Sequence, residues 1–144
     1  MGCGMHIAIS EERDEDLVRF IRDQLSDSNL AAVGYGDSRD LTITARDEEG
    51  NLTAVLVATT RWDWLHVEYL WVAAASRGQG LGQILLARAE GSARERGCYG
   101  AYATTFSFQA PDFYSKQGYE LFGELENLAG RHRHCFFKKR FATN

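Results

Sequence analysis

Apolar and polar residues alternate over His6–Ser10, the spacing of a short first strand. Ser10 precedes Glu11 and Glu12, so its hydroxyl can cap a helix whose first-turn carboxylates suit the positive end of the dipole. Leu17, Phe20, Ile21 and Leu25 then recur at helical spacing and predict a helix with one face on a core. Residues 27–40 are rich in Gly, Ser, Asn and Asp and read as loop, with a short helix around Leu30–Val33. Leu41–Arg46 and Leu52–Thr60 have strand character and are joined by a hairpin at Asp47–Asn51. A turn at Arg61-Trp62-Asp63 leads into the long apolar strand Trp64–Ala74. The next helix runs to about Arg96, with the stripe Gly82, Leu85, Leu86, Ala89, Ala93 and a stop at Gly97. A strand at Cys98–Ser107, a short helix at Ala110–Gln117 closed by Gly118, and an antiparallel pair, Tyr119–Glu124 with His134–Phe141, complete the chain. The order β α β β β α β α β β is that of an α/β domain with a mixed sheet, and the length suits a single domain over residues 1–144.

Composition narrows the function classes. With 44% hydrophobic and 25% charged residues the chain is globular rather than disordered. No apolar run reaches the roughly 18 residues that span a bilayer, and the N-terminus lacks the order of a secretory signal. At Met1-Gly2 a myristoylation pattern would want Ser or Thr where His6 stands. Cys3, Cys98 and Cys135 are odd in number and widely spaced, which implies no disulfide framework and a cytoplasmic home. The net charge of −4 argues against nucleic acid as a partner and mildly favours cationic acceptors.

Between the apolar strand and its helix stands Arg77-Gly78-Gln79-Gly80-Leu81-Gly82. The first amides of a helix have no intrahelical partner, point the same way and carry the positive end of the dipole, so such a turn makes an anion site. Gly78, Gly80 and Gly82 remove side chains that would keep a pyrophosphate from the backbone, and Arg77 can add a charge-assisted contact. A Walker A loop would end in Gly-Lys-Ser/Thr, whereas Gly82-Gln83-Ile84 stands here. A Rossmann fingerprint would need glycine at Gln83 and an acid on the next strand, and Ala101–Ser107 has none.

At these residues the chain resembles the GNAT superfamily of acyl-CoA-dependent N-acyltransferases. Residues 77–82 are similar to its pyrophosphate motif, Arg/Gln-x-x-Gly-x-Gly/Ala, and Leu70-Trp71-Val72 to the strand that pairs with the pantetheine arm. Residues 110–119, from Ala110 through Phe113-Tyr114 to Gly118-Tyr119, resemble a second family pattern, Ala-x-x-Phe-Tyr-x-Lys-x-Gly-Phe/Tyr. The likeness is strong over the second half and rests on element order in the first. It implies a GNAT-like fold with a mixed, mostly antiparallel sheet flanked by helices. It also implies acetyl-CoA as co-substrate, no metal, and direct transfer of the acetyl group to an amine without an acyl-enzyme.

The resemblance places Tyr114 near the CoA sulfur as proton donor to the departing thiolate. A phenol with a reference pKa near 10 is protonated at neutral pH, as that role requires. Glu68 interrupts the apolar strand and is the candidate base. Strand alternation sets His66, Glu68 and Leu70 on one face, and a partly buried carboxylate there would have its pKa raised. His66 is the alternative base, and a polar face on which His66 and Glu68 simply pair is the other account. A backbone amide within Leu70–Val72 would polarise the carbonyl. The expected donor-binding set is Leu70, Trp71, Val72, Arg77, Gly78, Gln79, Gly80, Leu81, Gly82 and Tyr114. Ser107 stands where many relatives carry a pantetheine-contacting asparagine.

Short length and acidic balance favour a small-molecule amine acceptor over a protein lysine or N-terminus; a non-catalytic acyl-CoA sensor is the competing class. Trp62 and Trp64 would line the acceptor pocket or cover a core or homodimer edge; Tyr35 and Asp37 lie where relatives build the acceptor wall, or belong to an ordinary loop. His132-Arg133-His134-Cys135 reads as alternation on a last strand rather than a zinc site. Lys138-Lys139-Arg140 reads as a solvated strand end or as a reach toward a CoA phosphate.

Overall fold

The helix-spaced apolar residues of the N-terminal region form one long helix, α1 (Glu15–Val33). The computed structural model describes residues 4–142, so Cys3 and the Met1-Gly2 start lie outside the described residues. The chain divides into two compact units, one ending at Gly36 and the other beginning at Asp37. In the first unit Asp14, not Ser10, caps the helix: its Oδ1 accepts from the amides of Asp16 and Leu17 at 2.9 and 3.2 Å. Ser10 Oγ instead accepts the Glu12 amide at 3.1 Å, a local turn ahead of the helix. The helix continues through Asp27, Ser28 and Asn29, where polar composition had suggested a loop, and closes at Gly34, whose N–H donates to Leu30 O at 2.8 Å. Residues 6–10 form no strand. Leu17, Phe20, Ile21 and Leu25 share a face, yet no residue of α1 is buried, because a lone helix has no second layer within its unit to pack against.

The second unit is a six-stranded sheet with one helix across one face. β1 (Arg39–Arg46), β2 (Leu52–Arg61), β3 (Trp64–Val72), β4 (Gly100–Phe106), β5 (Glu120–Leu128) and β6 (His132–Arg140) lie in the order β1-β2-β3-β4-β6-β5. Every neighbouring pair is antiparallel except β3 and β4. α2 (Leu81–Glu95) supplies the parallel crossover and packs on β1 to β4. Its Leu85, Leu86, Ala89 and Ala93 are buried against Ala54, Leu56 and Ala58 of β2, Leu65 and Val67 of β3, and Ala101 and Ala103 of β4. Alanines on both layers let the helix lie close to the sheet. α3 (Pro111–Lys116) links β4 to β5.

Two polar clusters fix α2. At its end the Arg96 guanidinium donates to Thr60 Oγ1 (3.0 Å), Arg39 O (3.3 Å) and Asp40 O (3.2 Å), tying the helix to β1 and β2. Mid-helix, the buried Glu90 carboxylate accepts from the Tyr119 hydroxyl at 2.7 Å and from Lys139 Nζ at 3.0 Å. Burial, and then the Glu90 charge, push the Tyr119 hydroxyl pKa well above the usual phenol range. Lys139 is thus committed to Glu90 and to Gln117 O rather than solvated, Lys138 lies over the Phe122 ring, and Arg140 lies over Tyr99.

Among the described residues no helix is long and apolar enough to cross a membrane.

β6 and β4 meet tightly at Gly100, where a Cβ would stand 2.4 Å from Lys139 O and 2.8 Å from Trp64 Cζ3. Backbone on one side and a packed indole on the other cannot both yield. Gly100→Ala is therefore expected to lower unfolding stability by about 2 kcal/mol, as overpacking does, read by chemical denaturation. An unchanged midpoint would show that the strand end is loose.

Candidate active site

A single extra residue in β3 opens the site. Ala58 of β2 faces Val67 and Val57 faces Tyr69, which leaves Glu68 without a partner, as a β-bulge. The bulge shifts the alternation: Leu65 and Val67 are buried before it, whereas Leu70 and Val72 pack against the core after it. His66, Glu68 and Leu70 therefore do not share one face. His66 lies on the side away from α2, stacked on Tyr102 at 4.5 Å and 5°, and makes no ion pair with Glu68. Glu68 is exposed rather than partly buried, because the bulged residue is pushed out of the sheet.

Parallel pairing of β3 with β4 ends at the same place. Val67↔Ala103 is the last pair, and beyond it the two strands diverge. The gap is a cleft of about 770 Å³, lined by Glu68–Val72 on one side, Thr104 and Thr105 on the other, and Phe113 and Tyr114 of α3. The edge of β3 that faces β4 thus carries unpaired backbone from Glu68 onward, while its other edge stays bonded to β2.

The glycine turn closes one end of this cleft. Gly78 and Gly80 hold φ of 81° and 79°, a left-handed conformation that disfavours any side chain, and a Cβ at either would meet nothing within 4 Å. The first helical bond runs from Ile84 N to Gly80 O (3.0 Å), so the amides of Leu81, Gly82 and Gln83 have no intrahelical partner. At Gly82 a Cβ would stand 3.3 Å from Phe113 Cε1, so this glycine also lets α3 approach α2. Arg77 Nε donates to Val72 O at 3.1 Å, clamping the turn to the end of β3. The cleft brings together Glu68, Leu70, Trp71, Val72, Arg77, Gly78, Gly80, Leu81, Gly82 and Tyr114, and Gln79 does not line it.

Tyr114 is 6% exposed, its ring set edge-on to Tyr119 (5.5 Å) and stacked with Phe137 (5.8 Å). Its hydroxyl has no hydrogen bond among the described residues, and no fully buried side-chain N or O there lacks a partner, so the hydroxyl keeps access to the cleft it lines. Burial pushes its pKa up to about 12, which holds it protonated throughout the neutral range.

Sequence reasoning missed Thr104, Thr105 and Gln109, all of which line the cleft. Gln109 Oε1 accepts from Phe106 N (3.1 Å) and Thr105 Oγ1 (3.3 Å), shaping the turn after β4. Their signal was position: Thr104 and Thr105 lie at the carboxyl end of a parallel strand and Gln109 just after it, where open α/β sheets bind ligands. Ser107 is used elsewhere; its Oγ accepts the Arg133 amide at 2.9 Å. Asp37 accepts the Trp62 amide at 3.0 Å, Trp64 packs edge-on to Tyr99 and Tyr102, and Tyr35 belongs to the first unit. His134 and Cys135 point to opposite faces of β6, with Cys135 in the core and His134 against Phe106 and Phe136.

The Tyr114 phenol sets a measurable expectation. Because its proton is held more tightly folded than unfolded, it contributes stability below pH ~10 that is lost as pH rises toward about 12. Subtracting the ultraviolet titration of Tyr114→Phe from that of the parent should reveal one phenol ionising near 12; a difference centred near 10 would show the ring to be solvated.

Comparisons with known proteins agree with this geometry. The acetyltransferase (GNAT) family matches residues 7–119. Acetyltransferase Atu2258 of Agrobacterium fabrum is 40% identical over 137 residues, covering 95% of this chain and 100% of that one. Blasticidin-S acetyltransferase of Streptomyces morookaense is 53% identical over 75 residues, 51% of this chain and 55% of that protein. A crystal structure of an acetyltransferase from Bacillus cereus superposes with a TM-score of 0.86 at 30% identity, covering 95% of this chain and 100% of the other. A cleft between diverging parallel strands, closed by a glycine turn, is thus found in a chain that belongs to the GNAT family of acetyltransferases and is an acyltransferase.

Proposed function

We propose that the chain is one domain over residues 1–144 that transfers the acetyl group of acetyl-CoA directly to the amine of a small molecule. The observation that carries this reading is the unpaired edge of β3, which runs from Glu68 to Val72 and leads to the helix-start amides of Leu81, Gly82 and Gln83. An extended pantetheine arm pairs with such an edge, and a diphosphate is held by such amides together with Arg77. The acetyl carbonyl then lies along β3, where a backbone N–H of Leu70–Val72 polarises it.

The neutral amine attacks the carbonyl carbon, forming the C–N bond as the C–S bond breaks and its electron pair leaves with sulfur. Glu68, exposed at the bulge, takes the amine proton through water. Tyr114 gives its proton to the thiolate; burial keeps the hydroxyl protonated at neutral pH, and it has no competing partner among the described residues. A small-molecule acceptor is supported by the acidic balance and by the relative named for blasticidin S. The described cysteines, Cys98 and Cys135, are unbonded, in keeping with a cytoplasmic location.

Release of CoA thiol on mixing the protein with acetyl-CoA and a panel of amines tests the reading. Tyr114→Phe is expected to lower kcat about a hundredfold while acetyl-CoA still binds; unchanged turnover removes the proton-donor role. Arg77→Ala should weaken acetyl-CoA binding about tenfold in calorimetry, the worth of a charge-assisted hydrogen bond, and undiminished affinity would place the diphosphate elsewhere.

A further inference from the structure

A second cavity, of about 320 Å³, meets the donor cleft at the bulge. Glu68 lines both. Its other walls include Asp40, Arg61, Trp64, His66 and Tyr102. Trp64, His66 and Tyr102 alternate with the buried Leu65, Val67, Ala101 and Ala103, so they project from the face of the sheet away from α2. The cavity is at the small end of ligand pockets, which run roughly 300–1,000 Å³.

Its chemistry differs from that of the donor cleft. The parallel stack of His66 on Tyr102, with Trp64 edge-on to Tyr102 at 6.3 Å, makes an aromatic wall. Two carboxylates, Asp40 and Glu68, stand against one guanidinium, and the Arg61 guanidinium is drawn over the Trp62 ring at 3.8 Å. Neither carboxylate has a hydrogen-bond or ion-pair partner among the described residues. Asp40 is anchored through its backbone, whose carbonyl accepts from Arg96 at 3.2 Å, so the strand that carries the carboxylate is fixed. The Glu68 charge is felt inside: after burial, it is the next cause raising the Tyr102 pKa.

We infer that this cavity is the acceptor site and that it selects small amines bearing a second cationic group. Asp40 pairs with that second group, and the reacting amine comes to rest beside Glu68, where the acceptor cavity and the donor cleft share one side chain. An anionic or wholly apolar amine gains nothing from Asp40 and meets a cavity with two carboxylates to one guanidinium. The inference rests on the acetyl-transfer reading and adds the acceptor's class to it.

The test pairs 1,4-diaminobutane with pentylamine, which match in heavy-atom count and differ in one charged end. Thiol release gives kcat/KM for each amine with the parent protein and with Asp40→Asn. A titration of acetyl-CoA alone reports on the donor cleft separately. The parent should prefer the diamine by about tenfold, the worth of one charge-assisted hydrogen bond, and Asp40→Asn should bring the ratio close to one. An active enzyme with no preference, or a preference that survives Asp40→Asn, overturns this inference and leaves the acetyl-transfer reading standing. Acetyl-CoA binding with no transfer to any amine of a broad panel overturns both.

Discussion

One missed pairing between strands governs the site. Glu68 has no partner on β2, and at that residue the parallel ladder of β3 with β4 stops. A regular β3 would have stayed bonded to β4 and kept the backbone edge internal. The bulge instead leaves that edge open over Glu68–Val72, widens the sheet into a cleft, and puts a carboxylate at the point where the strands part. The sheet tolerates the lost bonds because β3 remains paired with β2 along its other edge, and because Leu70 and Val72 re-enter the core after the shift.

The rest of the second unit holds two elements at the mouth of that opening. The glycine turn is fastened by Arg77 to the last carbonyl of β3, and Gly82 lets Phe113 close against α2. Tyr114 then follows on α3 with its ring fixed by Tyr119 and Phe137, and Tyr119 is itself bonded to the buried Glu90. Breaking a buried charged cluster of this kind by removing one partner leaves the others uncompensated. The hydrogen bond that sets Tyr119 therefore also sets the ring beside it.

Much of this was legible in the sequence, for identifiable reasons. The turn at Arg77–Gly82 and the stripe Leu85, Leu86, Ala89, Ala93 are local patterns, and the structure keeps both. Phe113-Tyr114 was legible through a motif. The bulge was not, because it depends on the register between β2 and β3, and alternation read along β3 alone predicts His66, Glu68 and Leu70 together. The same limit hid Gln109, whose role comes from the bonds it accepts at the end of β4. At the N-terminus, five alternating residues were too few to make a strand. The polar run Asp27-Ser28-Asn29 stayed helical between a good cap at Asp14 and the stop at Gly34. Local propensity there gave way to continuation of a helix already nucleated.

Amide chemical shifts on addition of CoA report where the donor lies against β3 and α2. If the opened edge and the helix start receive the donor, the largest changes fall on Gly80, Leu81, Gly82 and Gln83, with a second group along Glu68–Val72. Saturable binding that leaves those amides unmoved while others shift would contradict the account.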